Sequence, residues 1–289
     1  MHAPTLLLLT MLAAGGSKPA AAAWDKVFDG GADKWVAVIK ATGRDNWFAA
    51  GARWGLVTAK AGATSIEATN GHGVLGMFVE SPVSVYAFGE GELIWHYDGK
   101  KWTEEHVAPM PPKGRRPFSE HMLYLAYQDN APNAPLAALG LMLVLVKQPD
   151  RSWAPAATKA ENEKLLKAGQ IGPQFSPPPK CAVGGWNWFG RNRGAFFCHD
   201  RRMFVWDAGT LVPKGKMPSR CYDNLDSLAE MNGELYASCS SMTLWRTAGE
   251  QWRSIQPPKE KGLKNAFVAA ADGCLFVAGG RGVWRSCQP

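Results

Sequence analysis

A repeated spacing of tyrosine, tryptophan and glycine constrains the fold of this chain more than any other feature. The segments SVYAFGEGELIWHYDGKKWT (84–103) and ELYASCSSMTLWRTAGEQWR (234–253) align without a gap. In each, a tyrosine is followed nine positions later by a tryptophan and seven positions after that by another. The aligned residues are Tyr86, Trp95, Gly99 and Trp102 in the first segment and Tyr236, Trp245, Gly249 and Trp252 in the second. This spacing predicts three short strands, the last two joined by a hairpin whose glycine supplies a positive φ angle.

Weaker copies extend the repeat along most of the chain. They keep a turn residue in the same slot, which is Gly62 in the first copy, Asp150 in the third and Gly209 in the fourth. With one further strand before each copy, the repeat has about 40 residues and about four strands, as propeller blades do. We therefore predict an all-β fold, a single β-propeller of about six blades, with five or seven as alternatives. The predicted blades are residues 35–69, 70–111, 116–160, 181–218, 221–258 and 262–287, the last completed by 24–29.

The last repeat stops before its outer strand. LFVAGGRGVWRS (275–286) matches the middle of the other copies, but the chain ends at Pro289. The missing strand has a counterpart at the other end of the chain, where Trp24 opens WDKVFDG as Trp102 opens WTEEHVAP. Pairing of the two would close a ring and hide sheet edges that otherwise promote aggregation.

The N-terminus has the pattern of a secretory signal. An apolar run from Leu6 to Ala14 precedes small residues that end just before Trp24. The run is shorter than the roughly 20 residues that span a bilayer. We expect a signal peptide over 1–23, a propeller domain over 24–289, and a secreted or periplasmic location.

The six cysteines agree with export, since an even number in an exported chain usually forms disulfides. All lie between Cys181 and Cys287, and none forms a C-x-x-C pair, so we expect neither a zinc knuckle nor a redox motif. Cysteines at the start of one strand and the end of its antiparallel neighbour can meet. The expected pairs are Cys181–Cys198, Cys221–Cys239 and Cys274–Cys287.

Most tryptophans of the repeat are interpreted as packing between blades, because indoles bury a large area. This group comprises Trp95, Trp102, Trp206, Trp245, Trp252 and Trp284. Trp186 and Trp188 differ, since they alternate within one strand just before an arginine-rich loop. A platform for a glycan or a peptide is a second interpretation of that strand. The candidate ligand-binding residues are Trp186, Trp188, Arg191, Arg193, Arg201 and Arg202.

The formal net charge is +7, and the basic residues cluster in loops. If these loops share one rim of the ring, they would attract an anionic partner, such as an acidic protein surface or a polysaccharide. Solubilising charges on both faces are the alternative interpretation, and nucleic acid is not expected for an exported chain. An insertion over 158–180 contains a short helix capped by Thr158, followed by a proline-rich linker.

No catalytic motif is present. His199, His121 and His96 are isolated in sequence, and the chain has neither a G-x-S-x-G elbow, nor a phosphate-cradling loop, nor a calcium loop. We therefore predict no cofactor, no metal and no catalytic residue. A propeller can still assemble a site from distant loops, so an enzyme remains an alternative.

The repeat VYAFGEGELIWHYDGKKW resembles those of bacterial exported propellers in the broad kelch, YVTN and BNR-like group. The resemblance covers most of the mature chain and implies a blade, not an activity. Sialidases of that wider group carry S-x-D-x-G-x-T-W turns, which this chain lacks.

Three functional hypotheses follow. The first is a non-enzymatic propeller that binds or scaffolds proteins. The second is a lectin-like module for cell-surface glycans that uses Trp186 and Trp188. The third is a glycan-active hydrolase or lyase with its site in the axial channel.

Overall fold

The computed structural model describes residues 23–31, 35–51, 54–107, 123–128, 136–140, 144–156, 158, 160–164, 178–190, 193–207, 210–222, 225–240, 243–260, 263 and 266–287. Nearly all of the predicted signal segment lies outside these residues. Short alternating segments bounded by turns form antiparallel strands, as their period-two patterning favours. The described strands make six sheets of four strands each.

Sheets 1 to 3 follow one another along the chain, each with its strands in sequence order. Sheet 1 contains β2 (Val36–Gly43), β3 (Asn46–Gly51), β4 (Leu56–Lys60) and β5 (Ala63–Glu67). Sheet 2 contains β6 (Val74–Ser81), β7 (Ser84–Gly89), β8 (Ile94–Tyr97) and β9 (Trp102–Glu104). Sheet 3 contains β10 (Leu123–Gln128), β11 (Leu136–Gly140), β12 (Val144–Lys147) and β13 (Trp153–Pro155).

Sheets 4 to 6 complete the series, and the first strand of the chain belongs to the last sheet. Sheet 4 contains β14 (Val183–Gly190), β15 (Arg193–Cys198), β16 (Arg202–Asp207) and β17 (Thr210–Lys216). Sheet 5 contains β18 (Leu225–Met231), β19 (Glu234–Cys239), β20 (Thr243–Ala248) and β21 (Gln251–Ile255). Sheet 6 contains β22 (Phe267–Ala271), β23 (Cys274–Gly279), β24 (Gly282–Cys287) and β1 (Asp25–Asp29).

The N-terminal strand pairs with the last repeat, as the sequence predicts. Strand β1 runs antiparallel to β24, with Asp25 opposite Arg285 and Asp29 opposite Gly282. The pairing gives sheet 6 the outer strand that its own repeat lacks, so residues at the two ends of the described chain share one sheet.

The first strands of neighbouring sheets pack against one another. Strand β2 packs between β22 and β6, β6 also packs against β10, and β18 packs between β14 and β22. The end of the sheets where these first strands begin is called the start rim, and the end where they finish is called the end rim. The hairpin glycines lie at the end rim, where Gly99 has a φ of 91° and Gly249 a φ of 63°.

Tryptophans at the start of outer strands join neighbouring sheets. In four sheets the indole N–H donates a hydrogen bond to the preceding sheet or to the segment that leaves it. The pairs are Trp102 with Thr58 Oγ1, Trp153 with Glu105 Oε2, Trp252 with the Lys214 carbonyl and Trp24 with the Gln256 carbonyl. The spacing that defines the repeat therefore has a structural cause, since each indole ties one sheet to the one before it.

All three predicted disulfides are confirmed: Cys181–Cys198, Cys221–Cys239 and Cys274–Cys287. Each joins residues of a single sheet or the segment that enters it, and two lie at the start rim. The predicted inserted helix is present over residues 160–164, where Thr158 Oγ1 accepts the Glu161 backbone N–H at 3.0 Å as an N-cap. Residues 165–177 of the predicted insertion lie outside the described residues.

Candidate functional site

The described arginines among the candidate ligand residues of sheet 4 do not lie together. Trp186 and Trp188 lie two positions apart on β14. Their side chains, and Arg191 altogether, are outside the described part of the chain. The aromatic platform therefore stays a prediction.

Arg193 connects two sheets at the end rim. Its guanidinium lies 3.1 Å from Asp207 Oδ2 in its own sheet and 3.0 Å from Glu230 Oε1 in sheet 5. Glu230 is fixed in turn by the Gly233 backbone N–H at 2.7 Å. Two carboxylates already surround this guanidinium, so the geometry assigns Arg193 to the contact between sheets.

Arg201 and Arg202 lie at the start rim, at the opposite end of the sheet. Arg202 begins β16, whereas Arg193 begins the antiparallel strand β15, so the length of a strand separates them. At about 3.3 Å per residue that distance is roughly 15–20 Å. The three described arginines that sequence analysis grouped together, Arg193, Arg201 and Arg202, are thus divided between two rims.

Three segments bring a different set of cations together around Arg202. Arg202 is paired with Lys216 across β16 and β17, and it donates a hydrogen bond to the Lys180 carbonyl at 3.1 Å. The Met217 N–H donates to the Arg201 carbonyl at 2.9 Å, which anchors the turn leading to Arg220 in the short helix Ser219–Tyr222. We call this surface the Arg202 patch, and it consists of Lys180, Arg201, Arg202, Lys216 and Arg220.

The Arg202 patch is strongly positive. Lys180, Lys216 and Arg220 are exposed, and Asp200 is the single carboxylate among the described residues of its three segments, 178–182, 199–202 and 216–222. Asp200 accepts the Arg202 Nε–H at 2.6 Å. The Arg202 backbone N–H and guanidinium and the nearby Lys216 ammonium hold the pKa of that carboxyl below its ordinary value of 3.8, although it is exposed. Asp200 is paired with Arg202, so the exposed ammonium groups of Lys180 and Lys216 leave this corner able to attract an anionic surface.

A second polar cluster lies between sheets 2 and 3, centred on Glu105. Lys147 Nζ lies 3.0 Å from Glu105 Oε1 and donates a second hydrogen bond, of 2.6 Å, to the Tyr86 hydroxyl. The Trp153 indole N–H donates to Glu105 Oε2, and the Lys147 ammonium stands 4.2 Å from the centre of the Tyr86 ring. Glu105 retains only 9% of its side-chain exposure, so two donors from sheet 3 fix a nearly buried carboxylate.

His96 belongs to this cluster, which sequence analysis missed. It lies within β8, and its ring stacks on Tyr86 at 4.5 Å between centres. Its Nδ1 lies 3.4 Å from Glu105 Oε1, and its Nε2 lies 2.9 Å from Ser84 Oγ. Burial lowers the pKa of His96 below 6.5 and Lys147 lowers it further, while Glu105 opposes both. The sequence signal for this cluster is the period-two spacing of Ser84 and Tyr86 on β7, with His96 opposite Tyr86 on β8. It is visible only once the register of these two strands is known.

Lys40 is an unusual cation in the centre of the molecule. It lies on β2, between strands β22 and β6, and it has no hydrogen bond or ion pair with any residue in the described ranges. Its surroundings desolvate the ammonium and lower its pKa below 10.5. In sheet 4 the corresponding position on the first strand is Asn187, which donates to the Leu228 carbonyl at 2.7 Å.

The described residues contain neither a cluster suited to a metal ion nor a helix suited to cross a membrane. No three or more histidine, cysteine, aspartate or glutamate side chains lie together in a way that could hold a metal ion. Within the same residues, no helix has the length and apolar character needed to cross a membrane.

Comparison with known proteins places the chain by its fold. No protein-family model matches it, and no curated protein is similar to it in sequence. Virginiamycin B lyase from Staphylococcus aureus is similar in structure, with a TM-score of 0.65, 10% identity, and coverage of 92% of this chain and 99% of the lyase chain. YCF48 from Cyanidioschyzon merolae has a TM-score of 0.51 and 12% identity, over 93% of this chain and 99% of YCF48. The structure of YCF48 bound to D1 peptide has a TM-score of 0.51 and 11% identity, over 92% of this chain and 97% of the YCF48 chain.

These likenesses show the fold alone, because the identities are so low. One of the similar proteins is a lyase and another binds a peptide, so the fold is compatible with both catalysis and binding. The chain is an all-β protein of four-stranded antiparallel sheets with the architecture of the β-propeller group.

Proposed function

We propose that this chain is an exported, closed six-bladed β-propeller that binds an acidic protein partner through the Arg202 patch. Six four-stranded sheets and the pairing of β1 with β24 support the ring. Three disulfides are compatible with an oxidising compartment such as the periplasm or the cell exterior.

The observation that carries the proposal is the convergence of the exposed Lys180 and Lys216 with Arg202 on one rim. Complementary charge of this kind accelerates association and selects partners. Propellers of similar fold bind proteins, since YCF48 has been solved with D1 peptide. The kelch-like assignment and the glycan platform of Trp186 and Trp188 stay predictions, because no observation on the described residues tests them.

An acidic peptide of mixed Glu, Asp and Gly, labelled with a fluorophore, tests the patch by anisotropy. The variant Lys180→Glu/Lys216→Glu reverses two exposed charges of the patch. The control Lys100→Glu/Lys101→Glu makes the same change of net charge on exposed lysines at the end rim. We expect the patch variant to lose about tenfold or more in affinity and the control less than about twofold.

Equal losses of peptide affinity in the two variants would show that net charge alone attracts the peptide, and would contradict the proposal. A sulfated polysaccharide is measured in parallel. Tighter binding of that polysaccharide, abolished by Trp186→Ala, would favour the lectin hypothesis instead.

A further inference from the structure

Ser84, His96 and Glu105 stand in the order nucleophile, base and positioning carboxylate. Ser84 Oγ lies 2.9 Å from His96 Nε2, and Glu105 Oε1 lies 3.4 Å from His96 Nδ1. A carboxylate accepts only, so Glu105 favours the tautomer in which Nδ1 carries the proton. The lone pair of Nε2 then points to the serine hydroxyl, which is the arrangement that activates a serine for attack.

The carboxylate that positions His96 is itself held on both oxygens. Lys147 donates to Glu105 Oε1 at 3.0 Å, and the Trp153 indole donates to Oε2. These donors belong to sheet 3, whereas Ser84 and His96 belong to sheet 2. The imidazole orientation therefore depends on the docking of two sheets and not on a single flexible loop.

The protonation state of His96 suits a base. Burial lowers its pKa, and the Lys147 ammonium acts in the same direction, so the ring is neutral at neutral pH. The groups that face it are Glu105, Lys147, Glu80 and Asp98, of which the three carboxylates raise the pKa but do not reverse the shift.

The serine is open to solvent at the end rim. His96 keeps 17% of its side-chain exposure, and Ser84 is partly exposed at the start of β7. Val83 beside it is 56% exposed, the highest fraction among the exposed large hydrophobic residues of the described chain. An apolar acyl group could pack on Val83 while its carbonyl carbon approaches Ser84 Oγ.

Glu80 competes for the serine proton. Its Oε2 lies 2.8 Å from Ser84 Oγ, and its side chain is exposed. A hydroxyl has one proton, so it serves either Glu80 or His96 at a given time. Removal of the Glu80 carboxylate leaves His96 as the remaining acceptor, and this gives the assignment a distinctive test.

We propose that Ser84 is a nucleophile for acyl transfer from small esters, with His96 as its base and Glu105 as the residue that positions His96. Ser84 Oγ bonds to the acyl carbon while its proton passes to His96 Nε2. The ester C–O bond then breaks, and the leaving alkoxide takes that proton from His96. Water then attacks the acyl carbon while its proton passes to His96. The bond between that carbon and Ser84 Oγ breaks, and His96 returns the proton to Ser84 Oγ as the carboxylic acid leaves. This activity goes beyond the proposed binding function and does not depend on it.

An alkyl fluorophosphonate is the probe, applied to the mature, oxidised protein and followed by peptide mass spectrometry. The Ser84 Oγ–P bond forms as the P–F bond breaks and fluoride leaves, with the proton on His96. We expect modification of Ser84 at a rate that rises with pH through the titration of His96. Ser84→Ala abolishes it, and His96→Gln slows it by about 100-fold or more.

Two further variants separate catalysis from structure. Glu80→Ala is expected to raise the labelling rate by about twofold, because one of two competing acceptors is gone. Glu105→Gln lowers the rate and moves the midpoint of its pH profile to lower pH, since the carboxylate that raises the His96 pKa is lost. A merely structural role for Glu105 would not move that midpoint.

Ser81→Ala is the matched control, because Ser81 faces Ser84 across the same hairpin but has no histidine partner among the described residues. Its labelling rate is expected to equal that of the unmodified protein. No labelling of the folded protein, labelling at another serine, or labelling of Ser84 that survives His96→Gln would overturn the proposal. Circular dichroism and intact disulfides establish that each variant is folded.

Discussion

The two halves of the molecule are stabilised by different means. Sheets 4, 5 and 6 each contain a disulfide, whereas none occurs among the described residues of sheets 1, 2 and 3. The difference is sharpest at the last residue of the second strand. It is Cys198 in sheet 4 and Cys239 in sheet 5, but Gly51 in sheet 1 and Gly89 in sheet 2.

The glycines occupy positions that admit no side chain. A Cβ on Gly89 would lie 2.2 Å from the Gly73 carbonyl oxygen, and one on Gly51 would lie 1.5 Å from Trp54 Nε1. The same strand position is thus used either for a covalent link or for close packing of a neighbouring segment. Without disulfides, the first three sheets are joined by contacts such as the Trp102 indole with Thr58 and the Trp153 indole with Glu105.

Removal of one disulfide is expected to have the largest effect. Cys221→Ala/Cys239→Ala opens a link with a sequence separation of 18 and should lower the free energy of unfolding by about 3 kcal/mol. Urea unfolding measures the loss, and hydrogen exchange locates it. Protection should fall first in β18–β21 and persist in β2–β9. Uniform loss of protection would show that the two halves unfold as one unit.

One added methyl group in sheet 2 should lower the free energy of unfolding nearly as much. Gly89→Ala places a methyl group against the Gly73 carbonyl, and such overpacking should lower the unfolding free energy by about 2 kcal/mol. Gly62→Ala is the control, since its Cβ meets nothing within 4 Å and only the φ of 81° is unfavourable. That control should lose about 1 kcal/mol. A smaller loss for Gly89→Ala than for Gly62→Ala would contradict the close-packing explanation.

The indole contacts between sheets can be weakened singly. Trp102→Phe removes the donor to Thr58 and leaves a buried hydroxyl without its partner, which should cost roughly 1.5 kcal/mol. Trp35→Phe is the matched control, because Trp35 is 39% exposed and its side chain should contribute little. Chemical unfolding compares the two, and equal stabilities would show that the repeated tryptophan is not a tie between sheets.

The central cation of sheet 1 should oppose stability. Lys40→Met is expected to raise the unfolding free energy by about 1 kcal/mol at neutral pH, because it removes a desolvated charge. The folded pKa is lowered, so the penalty is complete below that pKa and disappears above 10.5, where the unfolded lysine is also neutral. The gain should therefore shrink as the pH rises. A destabilised Lys40→Met protein would indicate that Lys40 has a partner outside the described residues.

Acid should weaken the contact between sheets 2 and 3 slightly. The pKa of His96 is lowered in the folded state, so the unfolded chain binds more protons as the pH falls below 6.5. The free energy of unfolding should drop by less than about 1 kcal/mol as the pH falls below 6.5, and it should level off below the pKa of His96 in the folded state. In thermal unfolding from about pH 8 to about pH 5, His96→Gln should remove this part of the dependence. An unchanged profile in that variant would assign the titration to another group.

Local patterns account for most of the fold. The spacing of Tyr86, Trp95 and Trp102 and the turn glycines fix strand bounds, because alternation and hairpin geometry depend on near neighbours in sequence. The three cysteine pairs also follow from strand order, since both members of each pair belong to adjacent strands or their approaches. Each of these inferences needs only one sheet at a time.

The candidate sites depend on how sheets meet. Sequence analysis treated His96 as isolated and grouped Arg193 with Arg202, because proximity along the chain was the available guide. The folded chain brings Glu105 to Lys147 from another sheet and separates the two arginines by the length of a strand. The amino-acid sequence by itself determined the repeat, the sheets and the disulfides, which are set by local geometry. Only the tertiary structure decided which charges and hydroxyls share a site, because side-chain contacts between sheets depend on twist and docking across long sequence separations.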